Sequence, residues 1–313
     1  MTGTHTTPAG IEYVRTPDER FVGLPGYPFP PNHVEVDGLR MHFVDEGPSD
    51  APVVLLLHGE PSWSYLYRHM IPVLSGAGFH CIAPDLIGFG KSDKPVDRST
   101  YTYDQHVAWM REFVEALDLH EITLFCQDWG GLIGLRLVAE TDRFARVVAA
   151  NTALPVLRGV EFPAFEPDPD VSVDFSGFFE WVAYSQSAVD LDVGGVIQAG
   201  TATELSSEIV AAYDAPFPDE AHKAGAREFP LLVPTAPDQN EAAWTSLEEF
   251  DGPFLTIWAP GDPVIPEPMS EDFKTRIPGA AGQPHSTVEP ASHFLQEDPV
   301  SYTHLTLPTI YSV

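Results

Sequence analysis

The sequence predicts an α/β fold, in which a mostly parallel sheet is flanked by helices and carries an inserted, mainly helical cap. Short apolar segments alternate with segments of helical periodicity, and this alternation is typical of a parallel sheet covered on both faces. A region rich in proline and phenylalanine interrupts the alternation, and several reactive side chains directly follow the apolar segments. With 313 residues, 43% of them hydrophobic, the chain can form one large domain with an insertion.

Each predicted element has its own basis in the sequence. Apolar, partly β-branched runs that are too short for helices predict strands, and leucines spaced three or four residues apart predict helices. The pair Asp37-Gly38 between the first two runs predicts a tight hairpin turn. The predicted strands cover residues 33–36, 39–46, 53–57, 79–84, 121–126, 145–150 and 254–258, and the predicted helices cover about 63–74, 102–117 and 131–140.

The interruption defines the expected domain organisation. Within it, short helical stretches such as FSGFFEWVAYSQ and ELSSEIVAAYDA are separated by proline-rich sequence. Because the interruption lies between two predicted core strands, it predicts a cap inserted into the core. The expected division is a first part of the core at 1–154, a cap at 155–234 and a second part of the core at 235–298.

The charge of the chain limits its partners. Sixteen basic residues stand against 46 acidic ones, which gives a net charge of −30. Such a surface repels phosphate backbones and anionic lipid headgroups, so we expect neither nucleic-acid nor membrane binding. The first residues contain no apolar signal core, and no apolar run approaches the roughly 18 residues that span a bilayer. We therefore expect a cytoplasmic protein.

The sequence indicates no metal and no cofactor. The 12 histidines show no paired ligand spacing such as HExxH. Gly90-Lys91-Ser92 resembles the end of a phosphate-binding loop, but Asp85 stands where that motif needs its first glycine. Cys81 and Cys126 both fall in predicted core strands, so we expect buried free thiols rather than a disulfide.

The most informative motif is QDWGG, which joins a predicted strand to a predicted helix. A sharp turn there presents the side chain of Asp128 at the carboxyl end of the sheet, as in the nucleophile elbow of hydrolases. The amino terminus of the following helix favours negative charge at this point. The alternative is a buried aspartate that only caps the helix.

Three further positions strengthen the catalytic interpretation of Asp128. Asp262 and His293 each lie just beyond a predicted strand, and His58-Gly59-Glu60 follows the strand 53–57. The chain order of nucleophile, acid and histidine is that of the α/β-hydrolases. We therefore expect the α/β-hydrolase fold, with these residues converging at the carboxyl edge of the sheet.

The segments HGEPSWSYLYRHM, PDLIGFGKSDKP, QDWGG, GDPV and SHFLQED together resemble those of the haloalkane dehalogenases, from about residue 34 to 298. The resemblance implies Asp128 as nucleophile, His293 as base and Asp262 as acid. It also implies an oxyanion hole from the backbone of Glu60 and Trp129, and halide binding by Trp129 and a cap tryptophan. The only tryptophan in the predicted cap is Trp181.

The resemblance further implies a small halogenated alkane and water as substrates, halide as a product and a monomeric enzyme. The family has a final amphipathic helix after residue 298. Here residues 299–313 read PVSYTHLTLPTIYSV, with β-branched residues, prolines and no helical stripe. We therefore expect a non-native tail in place of that helix.

The residue types also suit this chemistry independently of the family. Serine attacking a saturated carbon leaves an ether that water does not cleave, whereas a carboxylate leaves an ester that can be hydrolysed. The indole N–H is only a donor and can hold a halide. Glu60, when ionised, only accepts hydrogen bonds and would repel halide. We therefore assign the second donor to Trp181.

The apolar pocket wall and the acid are assigned by position. Asn151 follows the strand 145–150 but cannot act as an acid, which leaves Asp262. By their spacing from Trp181, the end of the cap and the elbow, the pocket candidates are Phe178, Phe229, Pro230 and Leu132. Each could equally be ordinary core.

Two other functions remain open at this point. An epoxide hydrolase has the same aspartate nucleophile but polarises its substrate with cap tyrosines, for which Tyr184 and Tyr213 are available. A non-enzymatic binding protein of the same fold is the less favoured option, because nucleophile, acid and base are all present.

Overall fold

A computed structural model describes residues 3–298. The predicted tail at 299–313 lies outside the described residues. The strands are β1 (His5–Thr6), β2 (Glu12–Val14), β3 (Asn32–Val36), β4 (Leu39–Glu46), β5 (Val53–Leu57), β6 (His80–Pro84), β7 (Lys94–Pro95), β8 (Ile122–Gln127), β9 (Phe144–Ala150), β10 (Phe254–Trp258) and β11 (Ser286–Thr287). All seven strands predicted from the sequence are present, with ends shifted by one residue at most.

The main sheet has the spatial order β11-β10-β9-β8-β5-β6-β4-β3. Its strands from β11 to β6 run parallel, while β4 pairs antiparallel with both β6 and β3. The turn between β3 and β4 places Asp37 at φ 50° and Gly38 at φ 75°, the backbone conformation that a two-residue hairpin requires. A small antiparallel sheet of β1, β2 and β7 lies apart from it.

The helices are α1 (Met70–Gly76), α2 (Tyr103–Ala116), α3 (Trp129–Glu140), α4 (Phe178–Ser187), α5 (Val193–Ala199), α6 (Ser207–Asp214), α7 (Ala224–Leu232), α8 (Pro237–Leu247) and α9 (Ser270–Arg276). Among the described residues, no helix combines the length and the apolar character needed to cross a bilayer.

One predicted helix differs from the structure. In place of a continuous helix over 63–74, a 3-10 turn at Ser64–Tyr67 precedes α1. The physical reason is Pro72, which has no N–H to donate and whose ring would clash with the carbonyl four residues earlier. Pro72 is tolerated because it lies in the first turn of α1, where the N–H groups have no intrahelical acceptor.

The core is built around the central strands. All six residues of β8 and four of the five residues of β5 are buried, which explains why β5 is continuously apolar and β8 is mainly apolar. Helix α3 begins directly against them, and a Cβ on Gly130 would lie 2.0 Å from the carbonyl oxygen of Leu57. Glycine is therefore required where the elbow helix starts. Cys81 and Cys126 are buried free thiols, as predicted.

The helices α4 to α7 form the cap between β9 and α8. The loop that carries His293 is attached to the cap. Phe294 N donates to Gly200 O at 2.9 Å, and the carboxylate of Asp298 accepts from the backbone of Ala202 and Thr203 at 3.2 and 2.8 Å. These hydrogen bonds therefore couple the position of His293 to the packing of the cap.

Candidate active site

Asp128 occupies the turn between β8 and α3. Its backbone has φ 51° and ψ −127°, a region that non-glycine residues adopt only under constraint from their surroundings. That constraint includes Asp128 N donating to Asn151 O at 2.9 Å and Gly131 N donating to Asp128 O at 2.8 Å. The strained turn directs the carboxylate away from the sheet and into a buried cleft, as the elbow motif predicts.

Backbone donors hold one oxygen of the Asp128 carboxylate. Glu60 N donates to Oδ1 at 2.7 Å, and the N–H of Trp129 also hydrogen-bonds to the carboxylate. A Cβ on Gly59 would lie 2.3 Å from Oδ1, so only glycine admits the carboxylate at this point. Burial raises the pKa of Asp128, while His293 and the two N–H donors limit the rise.

His293 lies beside the other oxygen. Its Nε2 is 3.7 Å from Asp128 Oδ2, and its Nδ1 is 2.9 Å from Asp262 Oδ2. The second Asp262 oxygen accepts from Val264 N at 2.8 Å and Ile265 N at 3.0 Å. Burial acts to lower the pKa of His293, but the Asp262 and Asp128 carboxylates outweigh it and raise that pKa. The structure thus brings together the three residues that were predicted to be nucleophile, base and acid.

The side-chain amides of Asn151 and Gln127 hydrogen-bond to Asp262 and His293, and the sequence argument did not assign these amides a role. Asn151 donates through Nδ2 to Asp262 Oδ2 at 2.8 Å, while its Oδ1 accepts from Ala259 N at 2.8 Å. Gln127 donates through Nε2 to His293 O at 3.1 Å, with the same nitrogen 3.1 Å from His293 Nε2. The available signal was their position at strand ends on the same edge of the sheet.

The carboxylate opens into a cavity of about 250 Å³ whose wall is mainly apolar. Of the predicted pocket residues, Leu132, Phe178 and Pro230 line it. Phe229 is fully buried behind the wall instead, with its ring centre 4.6 Å from that of Trp129 and 4.2 Å from that of His106. Its position next to Pro230 did not reveal that it faces the opposite side of α7.

Both predicted halide ligands line this cavity. Trp129 and Trp181 are 3% and 4% exposed, and they enclose the space next to Asp128 from the elbow and from the cap. The side chains of Trp181 and Glu60 line this cavity together and interact with each other. Burial and the nearby Asp128 charge raise the pKa of Glu60 well above its usual range. Both effects favour the neutral form of Glu60, which the sequence argument did not consider.

Comparison with known proteins agrees with this arrangement. A family model described as the α/β hydrolase fold matches residues 52–300. The chain is 52% identical to a haloalkane dehalogenase from Psychrobacter cryohalolentis over 299 residues. This alignment covers 92% of this chain and 94% of that relative. The chain belongs to the haloalkane dehalogenases. A dehalogenase from Mycobacterium marinum is 48% identical over 92% of this chain and 96% of its own length.

Solved dehalogenase structures share the fold. The tetrameric haloalkane dehalogenase DpaA from Paraglaciecola agarilytica matches with a TM-score of 0.82 and 34% identity, covering 97% of this chain and 99% of that one. The predictions of the α/β-hydrolase fold and of resemblance to this family are thus confirmed.

The tyrosines that an epoxide hydrolase would need lie outside the dehalogenase cavity. The hydroxyl of Tyr213 donates to Glu297, which also pairs with Arg68. The hydroxyl of Tyr184 accepts from Asp192 N at 3.2 Å. Neither side chain lines the cavity beside Asp128. Within residues 3–298, no three histidine, cysteine or acidic side chains are grouped in a way that could hold a metal ion.

Proposed function

We propose that this protein hydrolyses small haloalkanes to an alcohol and a halide through an ester formed on Asp128. The observation that carries the proposal is that the two oxygens of the Asp128 carboxylate have different neighbours. Oδ1 accepts the backbone hydrogen bond from Glu60, Oδ2 lies 3.7 Å from His293 Nε2, and Asp128 lines the cavity. The family relationship supports the same activity, because the relatives are haloalkane dehalogenases.

The first half of the reaction is a displacement at saturated carbon. Oδ2 of Asp128 attacks the carbon that bears the halogen, the carbon–halogen bond breaks, and the halide leaves with the bonding electrons. The indole N–H groups of Trp129 and Trp181 stabilise the anion in the low-dielectric cavity. An aspartate is needed here because the resulting ester, unlike an ether, can be hydrolysed.

The second half regenerates Asp128. His293 accepts a proton through Nε2 from a water that attacks the ester carbon, and Asp262 stabilises the resulting imidazolium. The developing oxyanion is on Oδ1, which already accepts from Glu60 N, and the N–H of Trp129 also stabilises negative charge on this carboxyl group. Collapse of the intermediate expels the alkoxide, which takes the proton from His293 and leaves as the alcohol. The new carboxyl group of Asp128 loses its proton to solvent, so each turnover yields one halide and one proton.

Product analysis separates this function from epoxide hydrolysis. We expect halide release from small chloro-, bromo- and iodoalkanes and no diol from aliphatic epoxides, because the cavity has two indole donors and no tyrosine hydroxyl among its described lining residues. Halide determination and gas chromatography of both substrate panels check this. Diol formation without halide release would replace the proposal with the epoxide alternative.

The Trp181→Phe variant tests the second halide donor. Losing a hydrogen bond to an anion costs about 1.5–3 kcal/mol, so the bromide dissociation constant should rise roughly 10- to 100-fold. Bromide quenching of tryptophan fluorescence measures it. Trp244→Phe is the matched control, because its indole donates to Leu154 O at 2.8 Å and does not line the cavity beside Asp128. Unchanged quenching in Trp181→Phe would remove Trp181 from the site.

The cap boundaries at 155–234, the monomeric state and the cytoplasmic location also remain proposals from the sequence. The cap proposal is supported by α4 to α7, which fall within these limits. For the oligomeric state, DpaA is a tetrameric relative, so mass determination in solution decides between the two.

A further inference from the structure

Among the described residues that line the cavity, Glu60 is the one whose acidic side chain has no role in the reaction scheme. Its backbone N–H serves the oxyanion hole, but its carboxyl group is 3% exposed and lines the cavity together with Asp128 and Trp181. The Trp181 side chain interacts with this carboxyl group. Its Oε1 has no hydrogen-bond partner among residues 3–298. The proposed halide donor and this acid are therefore direct neighbours.

The two protonation states of Glu60 would treat a halide in opposite ways. An ionised carboxylate accepts a charge-assisted hydrogen bond, which is roughly twice as strong as a neutral one. The Trp181 N–H would then stay bound to Glu60 and would not be available to the halide. It would also place a second negative charge in the cavity, next to Asp128 and the halide. A neutral carboxylic acid holds the indole more weakly and adds no charge, so the N–H can pass to the anion.

We propose that Glu60 is a proton-controlled positioning residue of the halide site: as a neutral acid it orients the Trp181 indole and releases it to halide, and as a carboxylate it blocks halide binding. This inference rests on the proposed function, because it assigns Glu60 to the same halide site. Burial and the Asp128 charge raise the pKa of Glu60 and so favour its neutral form, which supports this role.

Other titratable groups face the same space. Among the described lining residues these are Asp128 and His293, and Asp262 lies behind His293. Their charges also respond to pH, and protonation of His293 would favour an anion in the cavity. A test of Glu60 therefore has to separate its titration from that of His293.

The experiment measures bromide affinity from pH 5 to 10 by fluorescence quenching in four folded proteins: the original chain, Glu60→Gln, His293→Gln and Glu180→Gln. Glutamine at position 60 keeps an acceptor for Trp181 but cannot ionise. Glu180 is exposed in α4, next to Trp181, and controls for the loss of one negative charge. Circular dichroism verifies the fold of each variant.

We expect the bromide dissociation constant of the original chain to rise about tenfold per pH unit above the pKa of Glu60. His293→Gln and Glu180→Gln should keep this rise, and Glu60→Gln should bind bromide without it. A rise that persists in Glu60→Gln, or that vanishes in His293→Gln, would overturn the inference, as would pH-independent binding by the original chain. If Glu60→Gln does not fold, the inference can still be overturned by pH-independent binding in the original chain or by a rise that vanishes in His293→Gln.

Failure of the inference about Glu60 can be distinguished from failure of the proposed function. Bromide binding is an equilibrium measurement that needs no turnover, whereas halide release from haloalkanes tests the activity. Halide release combined with a pH rise that does not depend on Glu60 overturns only the role of Glu60. Absence of halide release from every haloalkane overturns the proposed function.

Discussion

The His293→Gln variant is expected to release one halide per active site and then stop. Attack by Asp128 on the substrate needs no base, whereas hydrolysis of the ester needs His293 to deprotonate water. A general base contributes about 10²–10⁴-fold to such a step, so steady-state turnover should fall by at least the lower value. Rapid-quench halide analysis should show the burst, and mass spectrometry should find the alkyl group on the peptide that contains Asp128.

The matched control is Asp128→Asn in the same experiment. It should give neither a burst nor an alkylated peptide, because the attacking carboxylate is missing. Steady turnover by His293→Gln at the original rate, or a halide burst without alkylation of Asp128, would contradict the proposed sequence of steps.

The second large effect concerns the origin of the oxygen in the alcohol. In a single turnover with enzyme in excess in heavy-oxygen water, the alcohol is expected to contain ordinary oxygen. Its oxygen comes from Oδ2 of Asp128, and solvent oxygen enters the carboxylate when water attacks the ester carbon. Mass spectrometry of the alcohol and of the peptide containing Asp128 measures both transfers.

A labelled alcohol from this first turnover would mean that water attacks the substrate carbon directly. Asp128 would then act as a general base, and the ester would not exist. The control is a second incubation in the same water over many turnovers, in which the alcohol should become labelled because Asp128 now carries solvent oxygen.

Several features of this protein could be predicted from local sequence. The strands β5 and β8 are buried on both faces, so their mainly apolar sequences identify them. The elbow at Asp128 follows from a strand, a reactive residue and two glycines in succession. Asp262 and His293 could be found because both follow strands in the chain order of this fold.

Other features depend on residues that are distant in the chain. The split of the predicted helix 63–74 is a local effect of Pro72, but the burial of Phe229 behind Trp129 depends on how α7 packs against the core. The support of Asp262 by Asn151 joins positions that only the sheet brings together. Neither contact has a signature in the sequence around it.

The sequence by itself determined the fold, the family and the order of the proposed catalytic residues, because these depend on periodicity and on short motifs. Only the tertiary structure decided the contact of Glu60 with Trp181 and the direction in which the pKa of Glu60 shifts. The physical reason is that a protonation state depends on burial and on neighbouring charges in space. Both are set by the packing of the cap over the elbow, and no local run of residues encodes them.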